Sequence, residues 1–213
     1  MRDIAIYGAG GFGREIYCLL QAINKVDPTW NVIGFFDDGK TIGESNEYGV
    51  ILGGISELNN WNKPLNVVMG IGTPSILAKI VSKIENVNVT FPNIVAPDVR
   101  IYDEANMSLG KGNLIGFRGL ISCNVHLADF NLLNNDVHLG HDSKIGSFNV
   151  FNPSVRISGE VSIGEQNFFG VCSIVLQQKK IGNNTTIGAN STILRNTKDN
   201  QVYIGTPATI LKY

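Results

Sequence analysis

Apolar residues recur at every sixth position of this chain from Leu109 to Ile193, without an exception. A period of six fits neither the 3.6-residue turn of an α-helix nor one simple hairpin ladder. It is typical of a solenoid, in which the chain turns regularly and points one apolar side chain inward each time. Although 43% of the residues are apolar, a series of this length without an exception is very unlikely to arise by chance. The positions are Leu109, Ile115, Ile121, Leu127, Leu133, Leu139, Ile145, Phe151, Ile157, Ile163, Phe169, Val175, Ile181, Ile187 and Ile193.

Glycine directly follows the inward residue in many of these repeats. Since glycine tolerates backbone angles that crowd other residues, we predict that these glycines form the corners of the solenoid. They are Gly110, Gly116, Gly140, Gly146, Gly164, Gly170, Gly182 and Gly188.

The first ninety or so residues follow a different pattern, which predicts β-α-β-α-β. Alternating strands and helices imply a small parallel sheet that binds ligands at the carboxyl ends of its strands. We place the boundary at residue 92, between a Rossmann-like domain (1–92) and a solenoid domain (93–213). The tail from Asn200 leaves the six-residue frame and is predicted to pack back over the solenoid. The predicted strands are 4–7, 32–36, 67–69 and 87–91. The predicted helices are 14–24 and one that starts at Thr73-Pro74 and continues to residue 84.

Composition excludes several classes of function. A net charge of −1 gives no long-range attraction to nucleic acid or to an anionic membrane. The N-terminus lacks the apolar core of a signal peptide, and no apolar run has the length needed to cross a bilayer. Cys18, Cys123 and Cys172 are far apart, so we interpret them as small core residues of a reducing compartment. We therefore expect a cytoplasmic protein.

The glycine-rich loop after the first predicted strand is a candidate phosphate or nucleotide site. At Gly10, Gly11 and Phe12 the loop leads into a helix, whose start favours negative charge. The alternative is a tight turn that only joins strand to helix. Asp37 and Asp38 end the second strand, where a carboxylate suits ribose hydroxyls or the N–H of a uracil or guanine ring. They could equally be exposed turn residues.

The three histidines, His126, His138 and His141, all fall within the repeat. His141 follows the inward Leu139 by two positions, near a corner, so its side chain should project outward beside Asp142. An imidazole, whose unperturbed pKa is about 6.5, is a suitable general base near neutral pH. A solvated His-Asp doublet without a catalytic role is the alternative.

The stretch 133–146 resembles the sugar acetyltransferases typified by PglD and NeuD, which include the perosamine N-acetyltransferases. That family's pattern is Asn, six variable positions, His, an acidic residue and then Ile-Gly. Asn134, His141, Asp142 and the Ile145-Gly146 pair occupy those places. Further matches are Gly8 to Gly13, Phe36-Asp37-Asp38, Gly70-Ile71-Gly72 and Gly205-Thr206-Pro207.

The resemblance implies a small nucleotide-binding β/α domain before a left-handed parallel β-helix. It also implies direct acetyl transfer from acetyl-CoA to a sugar, in a homotrimer with active sites between neighbouring subunits. His141 would be the catalytic base and Asp142 would orient it, without a metal. Phe12 and Val150 stand where many family members have histidines. The implied contacts to a nucleotide-linked amino sugar are Gly10, Gly11, Phe12, Asp37, Asp38, Gly72 and Asn134, and those to coenzyme A are Val150, Gly170, Val171, Gly188 and Ala189.

Other readings remain open. The acceptor could be a hydroxyl, as in sialic acid O-acetylation, instead of an amine. Metal-assisted hydrolysis would need three histidines, two of them separated by four residues, and the spacing here differs. A nucleotide-binding trimer without enzymatic activity is the third alternative, and the Gly140-His141-Asp142 corner argues against it.

Overall fold

A computed structural model describes residues 1–211 and divides them into a β/α part and a three-faced prism. Arg2–Tyr7 (β1), Trp30–Phe36 (β2), Gly49–Gly53 (β4), Leu65–Met69 (β5) and Val89–Thr90 (β6) form a parallel sheet with the order β4-β2-β1-β5-β6. The short strand Ser45–Asn46 (β3) pairs with β4 in the antiparallel sense, so the whole sheet is mixed. The helices are Gly11–Val26 (α1), Ile55–Asn59 (α2) and Pro74–Val81 (α3).

The glycine loop is fixed by close packing against the start of α1. Gly8 has φ +106°, a conformation that side chains rarely adopt. A Cβ on Gly13 would overlap the carbonyl of Gly8, so only glycine lets the helix begin this close to β1. Ile16 and Leu20 on the inner face of α1 are buried against the sheet. The packing therefore sets where the helix N-terminus points.

The prism consists of two-residue strands whose partners lie 18 positions apart, as in Ile115 and Leu133. Three six-residue sides thus make one coil of a left-handed parallel β-helix, which confirms the predicted solenoid. We call the three sheets face 1, face 2 and face 3. Face 1 contains Ile94–Val95 (β7), Leu114–Ile115 (β10), Leu132–Leu133 (β13), Val150–Phe151 (β16), Phe168–Phe169 (β19), Thr186–Ile187 (β22), Val202–Gly205 (β24) and Ala208–Ile210 (β25). Face 2 contains Arg100–Ile101 (β8), Leu120–Ile121 (β11), His138–Leu139 (β14), Arg156–Ile157 (β17), Ile174–Val175 (β20) and Thr192–Ile193 (β23). Face 3 contains Ser108–Leu109 (β9), His126–Leu127 (β12), Lys144–Ile145 (β15), Ser162–Ile163 (β18) and Lys180–Ile181 (β21).

The predicted role of the repeat glycines in the corners is wrong. The left-handed backbone angle lies three positions after the inward residue and, apart from Gly112 (φ 68°), belongs there to a non-glycine residue such as Asp142 (φ 59°) or Cys172 (φ 58°). The glycines are needed because coils stack closely. A Cβ on Gly140, for example, would lie 2.5 Å from the Gly159 nitrogen of the next coil. Close approach, not backbone angle, selects glycine there.

A column of buried polar side chains runs along the corner between face 3 and face 1. Asn149 is fully buried, and its Nδ2 donates to the carbonyls of Gly146 and Gly164 at 3.0 Å each. Its Oδ1 accepts from the backbone and side chain of Asn167, at 2.9 Å each, and Asn131 continues the ladder on the other side. Each amide therefore bonds to the coils on both sides of it.

Replacing Asn149 with alanine should lower the free energy of unfolding by about 3 kcal/mol, because several buried polar groups lose their partners at once. Denaturant titration measures this loss as a lower midpoint at unchanged slope. Asn190→Ala is the control, since Asn190 is an exposed asparagine, and its left-handed φ of 55° adds a backbone strain that Asn149→Ala does not. An equal loss in both variants would mean that the buried hydrogen bonds of Asn149 do not account for the effect.

The tail leaves the six-residue frame as predicted and continues face 1. Strand β24 pairs with β22 in the parallel sense, which places Tyr203 over Ile187 and inside the core. Strand β25 then pairs with β24 as an antiparallel hairpin through the cis Thr206-Pro207 peptide.

Aromatic side chains join the prism to the β/α part. Phe130 and Phe148 occupy equivalent corners of successive coils and stack with ring centroids 5.3 Å apart. Phe91 packs edge-on against Phe130 at 5.0 Å, and Leu77 of α3 belongs to the same core cluster. The core is therefore continuous across the two parts.

The prediction that the cysteines are core residues is wrong, because Cys18, Cys123 and Cys172 are all exposed. Cys18 lies on α1 beside a cleft that faces the prism, and the other two lie outside the prism at its corners. Within residues 1–211, no helix combines the length and apolar character needed to cross a membrane.

Candidate active site

The His141-Asp142 pair lies on the turn between face 2 and face 3, which we call edge 2–3. The Nδ1 atom of His141 is 2.8 Å from Oδ2 of Asp142, and both side chains are about half exposed, at 50% and 49%. The predicted outward projection of His141 is thus confirmed. Because Nδ1 is engaged by the carboxylate, Nε2 is the ring atom available to a substrate.

Asp142 also contacts the coil before it. Its Oδ1 accepts a 2.7 Å hydrogen bond from Nδ2 of Asn124, and its backbone N–H donates to the carbonyl of Cys123. The Asn124 amide, and then His141, hold the pKa of the Asp142 carboxyl below its ordinary value. The carboxylate is therefore ionised at neutral pH and suited to fix the imidazole tautomer.

Gly159 and Glu160 occupy the same edge in the following coil. A Cβ on Gly159 would overlap Nε2 of His141 and stand 2.6 Å from Cε1, so the imidazole rests against this glycine. Glu160 accepts hydrogen bonds from the amides of Gln177 (2.9 Å) and Gln178 (3.1 Å), which keep the pKa of its carboxyl low. The ring of His141 thus contacts the Asp142 carboxylate and the Gly159 backbone, and Glu160 is close enough to interact with it electrostatically.

A cleft of about 450 Å³ separates α1 from the turn between face 1 and face 2, which we call edge 1–2. The predicted residues Gly11, Phe12 and Asn134 line it together, and so do Arg14 and Tyr48. Its walls combine aromatic rings, amides and a guanidinium group. A cleft of this size and chemistry suits part of a sugar nucleotide.

The predicted carboxylates lie near the glycine loop, but both are already bonded within the chain. Asp37 accepts from the backbone N–H groups of Ala9 (2.8 Å) and Gly39 (2.9 Å). Asp38 accepts from the Tyr7 hydroxyl (2.7 Å) and the Ile55 N–H (2.9 Å). Burial, together with Asp38, raises the pKa of Tyr7 far above its ordinary value, so its hydroxyl keeps the proton that it donates.

Gly10 and Gly72 have open surroundings. A Cβ on either would meet no heavy atom within 4 Å, so nothing in the chain occupies the space in front of them. Neither lines the cleft described above.

The residues expected to contact coenzyme A differ in accessibility. Val150 is 2% exposed, which leaves its side chain no surface for a ligand in this chain. A Cβ on Gly170 would collide with the Ala189 backbone of the next coil, and one on Gly188 with the Ile204 side chain of the tail. Val171 and Ala189 are exposed on edge 1–2.

The predicted site residues therefore lie on two different edges of the prism. The cleft residue Asn134 follows face 1, whereas His141 follows face 2 in the same coil. Val171 lies on the same edge as Asn134, one face away from the imidazole. One chain does not place its own His141 among its own cleft residues.

Sequence reasoning missed Asn124 and Gly159. Both lie on edge 2–3, Asn124 one coil before Asp142 and Gly159 one coil after His141. The signal was present, since residues 18 positions apart are neighbours in such a coil.

The other two histidines lie apart from this pair. Nδ1 of His126 is 2.6 Å from the Ser108 hydroxyl on face 3. His138 lies on face 2, 3.5 Å from Asp136, where burial and Arg156 lower the pKa of its ring. Among residues 1–211, no three histidine, cysteine or acidic side chains form a group able to hold a metal ion.

Comparison with known proteins identifies the relatives of this chain. Residues 3–84 match the family model of the PglD N-terminal domain. The acetyltransferase domain of PglB from Neisseria gonorrhoeae FA1090, solved in complex with acetyl coenzyme A, is 25% identical with a TM-score of 0.88 over 99% of both chains. No curated protein sequence matches.

Two further structures share the fold. A variant of perosamine N-acetyltransferase from Caulobacter crescentus, in complex with CoA and GDP-perosamine, is 21% identical with a TM-score of 0.87, over 100% of this chain and 98% of that one. WeeI from Acinetobacter baumannii AYE is 23% identical with a TM-score of 0.88, over 99% of this chain and 100% of that one.

The fold, the exposed His-Asp pair and these relatives define an acyltransferase built on a left-handed β-helix. The resemblance to the PglD/NeuD-like sugar acetyltransferases is confirmed, since residues 3–84 match the PglD N-terminal domain and the whole chain shares the fold of the Neisseria acetyltransferase domain.

Proposed function

We propose that this protein transfers the acetyl group of acetyl-CoA directly to the amino group of a nucleotide-linked amino sugar. The observation that carries the proposal is the exposed His141-Asp142 pair, in which the imidazole Nε2 is not engaged by Asp142 and lies beside Gly159. The acetyl-CoA complex of the Neisseria relative supports the choice of donor. Participation in surface glycan biosynthesis and a cytoplasmic location are parts of the same proposal.

In the proposed reaction the acceptor nitrogen attacks the thioester carbonyl carbon, while Nε2 of His141 takes a proton from that nitrogen. The C–N bond forms, the C–S bond breaks, and the imidazolium returns the proton to the leaving thiolate. Asp142 holds Nδ1–H and stabilises the cation between these two steps. No covalent acyl-enzyme is needed, because ordering both substrates supplies much of the rate.

The oxyanion of the tetrahedral intermediate requires a donor near the imidazole. The backbone N–H of Gly159 donates to no acceptor among residues 1–211, and this residue touches the imidazole ring. We assign it the role of oxyanion donor, since preorganised backbone N–H groups serve this purpose well.

Edge 2–3 continues from His141 into a surface suited to coenzyme A. Leu176 and Leu194 lie there in successive coils, 40% and 44% exposed, although leucine is usually buried. Lys179, Arg195 and Lys198 follow nearby in the chain and make no ion pair in the described part of it. An apolar strip that ends in basic groups matches a pantetheine arm that ends in phosphates.

We propose a homotrimer, because the cleft and the base of one chain lie on different edges. In a ring of three copies, edge 1–2 of one subunit can face edge 2–3 of the next, so that each cleft meets a neighbour's His141. The expected contacts at Val171 and Ala189 then lie across the same junction from Leu176.

Mixed trimers should test this arrangement. The His141→Ala variant keeps an intact cleft. The Gly11→Trp variant keeps the imidazole but fills the cleft with an indole ring, and a Cβ at this position fits because the nearest atom, on the Arg14 side chain, is 3.8 Å away. Each variant alone should be inactive, whereas co-expression should restore about a quarter of the wild-type rate, since only one pairing in four completes a site. Absence of any recovery in purified mixed trimers would place the site within one chain.

The reaction itself is tested by incubating the protein and acetyl-CoA with UDP- and GDP-linked amino sugars. We expect thiol release that depends on the acceptor, with an N-acetylated product by mass spectrometry. A product acetylated on oxygen would favour the sialic acid type of acceptor instead. Binding of sugar nucleotides without any coenzyme A binding would overturn the enzymatic proposal.

A further inference from the structure

We propose that Asn124 is a positioning residue for catalysis, which holds the Asp142 carboxylate so that one oxygen faces His141 Nδ1. The inference rests on the proposed function. It adds Asn124, which lies in the preceding coil, as a third member to the His141-Asp142 pair. Asn124 touches no substrate in this scheme and acts only through Asp142.

The contacts form a continuous chain. Asn124 Nδ2 donates to Asp142 Oδ1 at 2.7 Å, and Asp142 Oδ2 lies 2.8 Å from His141 Nδ1. In the described part of the chain, these are the two side-chain hydrogen bonds of Asp142. Each oxygen of the carboxylate therefore has one defined partner.

The backbone makes this contact possible. Asn124 and Asp142 occupy the same corner position in successive coils, both with left-handed angles (φ 53° and 59°). The Asp142 N–H donates to the Cys123 carbonyl at 3.0 Å, which stacks the two corners directly. Asparagine adopts this backbone conformation more readily than most residues, so the sequence can place an amide there at low cost.

The carboxylate needs such support because little else restrains it. The Asp142 side chain is half exposed, and rotation about its terminal bond is broad in solution. The Asn124 amide fixes that rotation and favours the ionised form. With Asp142 ionised, the proton of a neutral imidazole resides on Nδ1 and leaves Nε2 free to accept one.

The other charged group that faces this pair is separately anchored. Glu160 lies in the following coil, close enough to interact electrostatically with His141 and Asp142, and the Gln177 and Gln178 amides hold its oxygens. The uncharged thiol of Cys123 comes before Asn124. Besides the imidazole itself, the Asn124 amide is therefore the side chain in the described residues that hydrogen-bonds Asp142.

The first test combines two variants with a double-mutant cycle. Asn124→Ala should lower kcat about tenfold with little change in KM, because the imidazole is less well oriented. In an Asp142→Asn background the same change should alter kcat less than twofold. Equal losses in both backgrounds, or an unchanged kcat in Asn124→Ala, would overturn the proposal.

A matched control separates positioning from corner strain. Asn184 has φ 50° on another edge, and no side-chain hydrogen bond is formed by it within residues 1–211. Asn184→Ala therefore imposes the same backbone cost without touching Asp142, and its kcat should equal that of the wild type. A tenfold loss in this control would assign the effect to strain.

The second test does not depend on catalysis. In ¹⁵N-histidine NMR spectra, the neutral ring of His141 should be a single Nδ1–H tautomer in the wild type and a mixture in Asn124→Ala. An unchanged tautomer in Asn124→Ala would refute the role of Asn124, whereas the expected spectra without acetyl transfer would refute only the proposed function.

Discussion

Replacing His141 with alanine is expected to lower kcat by about 10²–10⁴-fold, the range typical for loss of a general base. The fold should be unaffected, because the side chain is half exposed and its removal leaves no cavity in the core. Thiol release with saturating acetyl-CoA measures kcat, and thermal unfolding followed by circular dichroism measures stability.

His126→Ala is the matched control for this experiment. His126 also lies on the prism and also engages Nδ1 in a hydrogen bond, to Ser108 instead of a carboxylate. It should retain full activity, since it lies on face 3 and away from the edge that carries the base. If the kcat of His141→Ala equalled that of the wild type, the imidazole would have no part in the mechanism.

Gly159→Ala is expected to lower kcat about 10²-fold, although only one methyl group is added. The new Cβ would overlap Nε2 of His141, the atom assigned to take the proton. Since the ring is on the outside of the prism, it can swing away instead of destabilising the core. The midpoint of thermal unfolding should therefore stay near that of the wild type.

The cause of that loss is tested by combining Gly159→Ala with His141→Ala. If the methyl group acts by displacing the ring, the double variant should be no slower than His141→Ala alone. Full activity of the single Gly159→Ala variant would contradict the contact between this glycine and the imidazole.

Much of the prism could be predicted from the sequence because its repeat is local. Every inward residue from Leu109 to Ile193 serves the same role in successive coils, so periodicity alone reports the architecture. The interpretation of the glycines failed because their reason is contact with the next coil. Periodicity shows where glycine recurs, but it does not show what lies against it.

The β/α part was predicted less completely. The spans of α1 and β2 were close to the predicted ones, whereas β3, β4 and α2 were missed. Residues 45–59 have no long apolar run, and Gly49 and Gly53 take positive φ angles that no simple strand pattern predicts. Tertiary pairing with β2 determines that segment.

The candidate site was predicted residue by residue, but not as an arrangement. The sequence pairs His141 with Asp142 because they are adjacent, and the 2.8 Å contact confirms that the shorter aspartate side chain reaches the ring. It does not reveal that Asn134, seven positions earlier, lies around the corner on another edge. Nor does it reveal the burial of Val150, which depends on how the prism packs.

Because the coils have a constant pitch, the distance between two residues along the prism axis is set by the number of coils between them. Adjacent strands are separated by about 4.8 Å, so Arg195, three coils along from His141, lies about 14 Å farther down the axis. Adding or deleting one 18-residue coil between them would change that distance by one increment and leave the chemistry at His141 in place. If coenzyme A lies along edge 2–3 as proposed, the number of coils sets the distance between the reacting thioester and the basic groups.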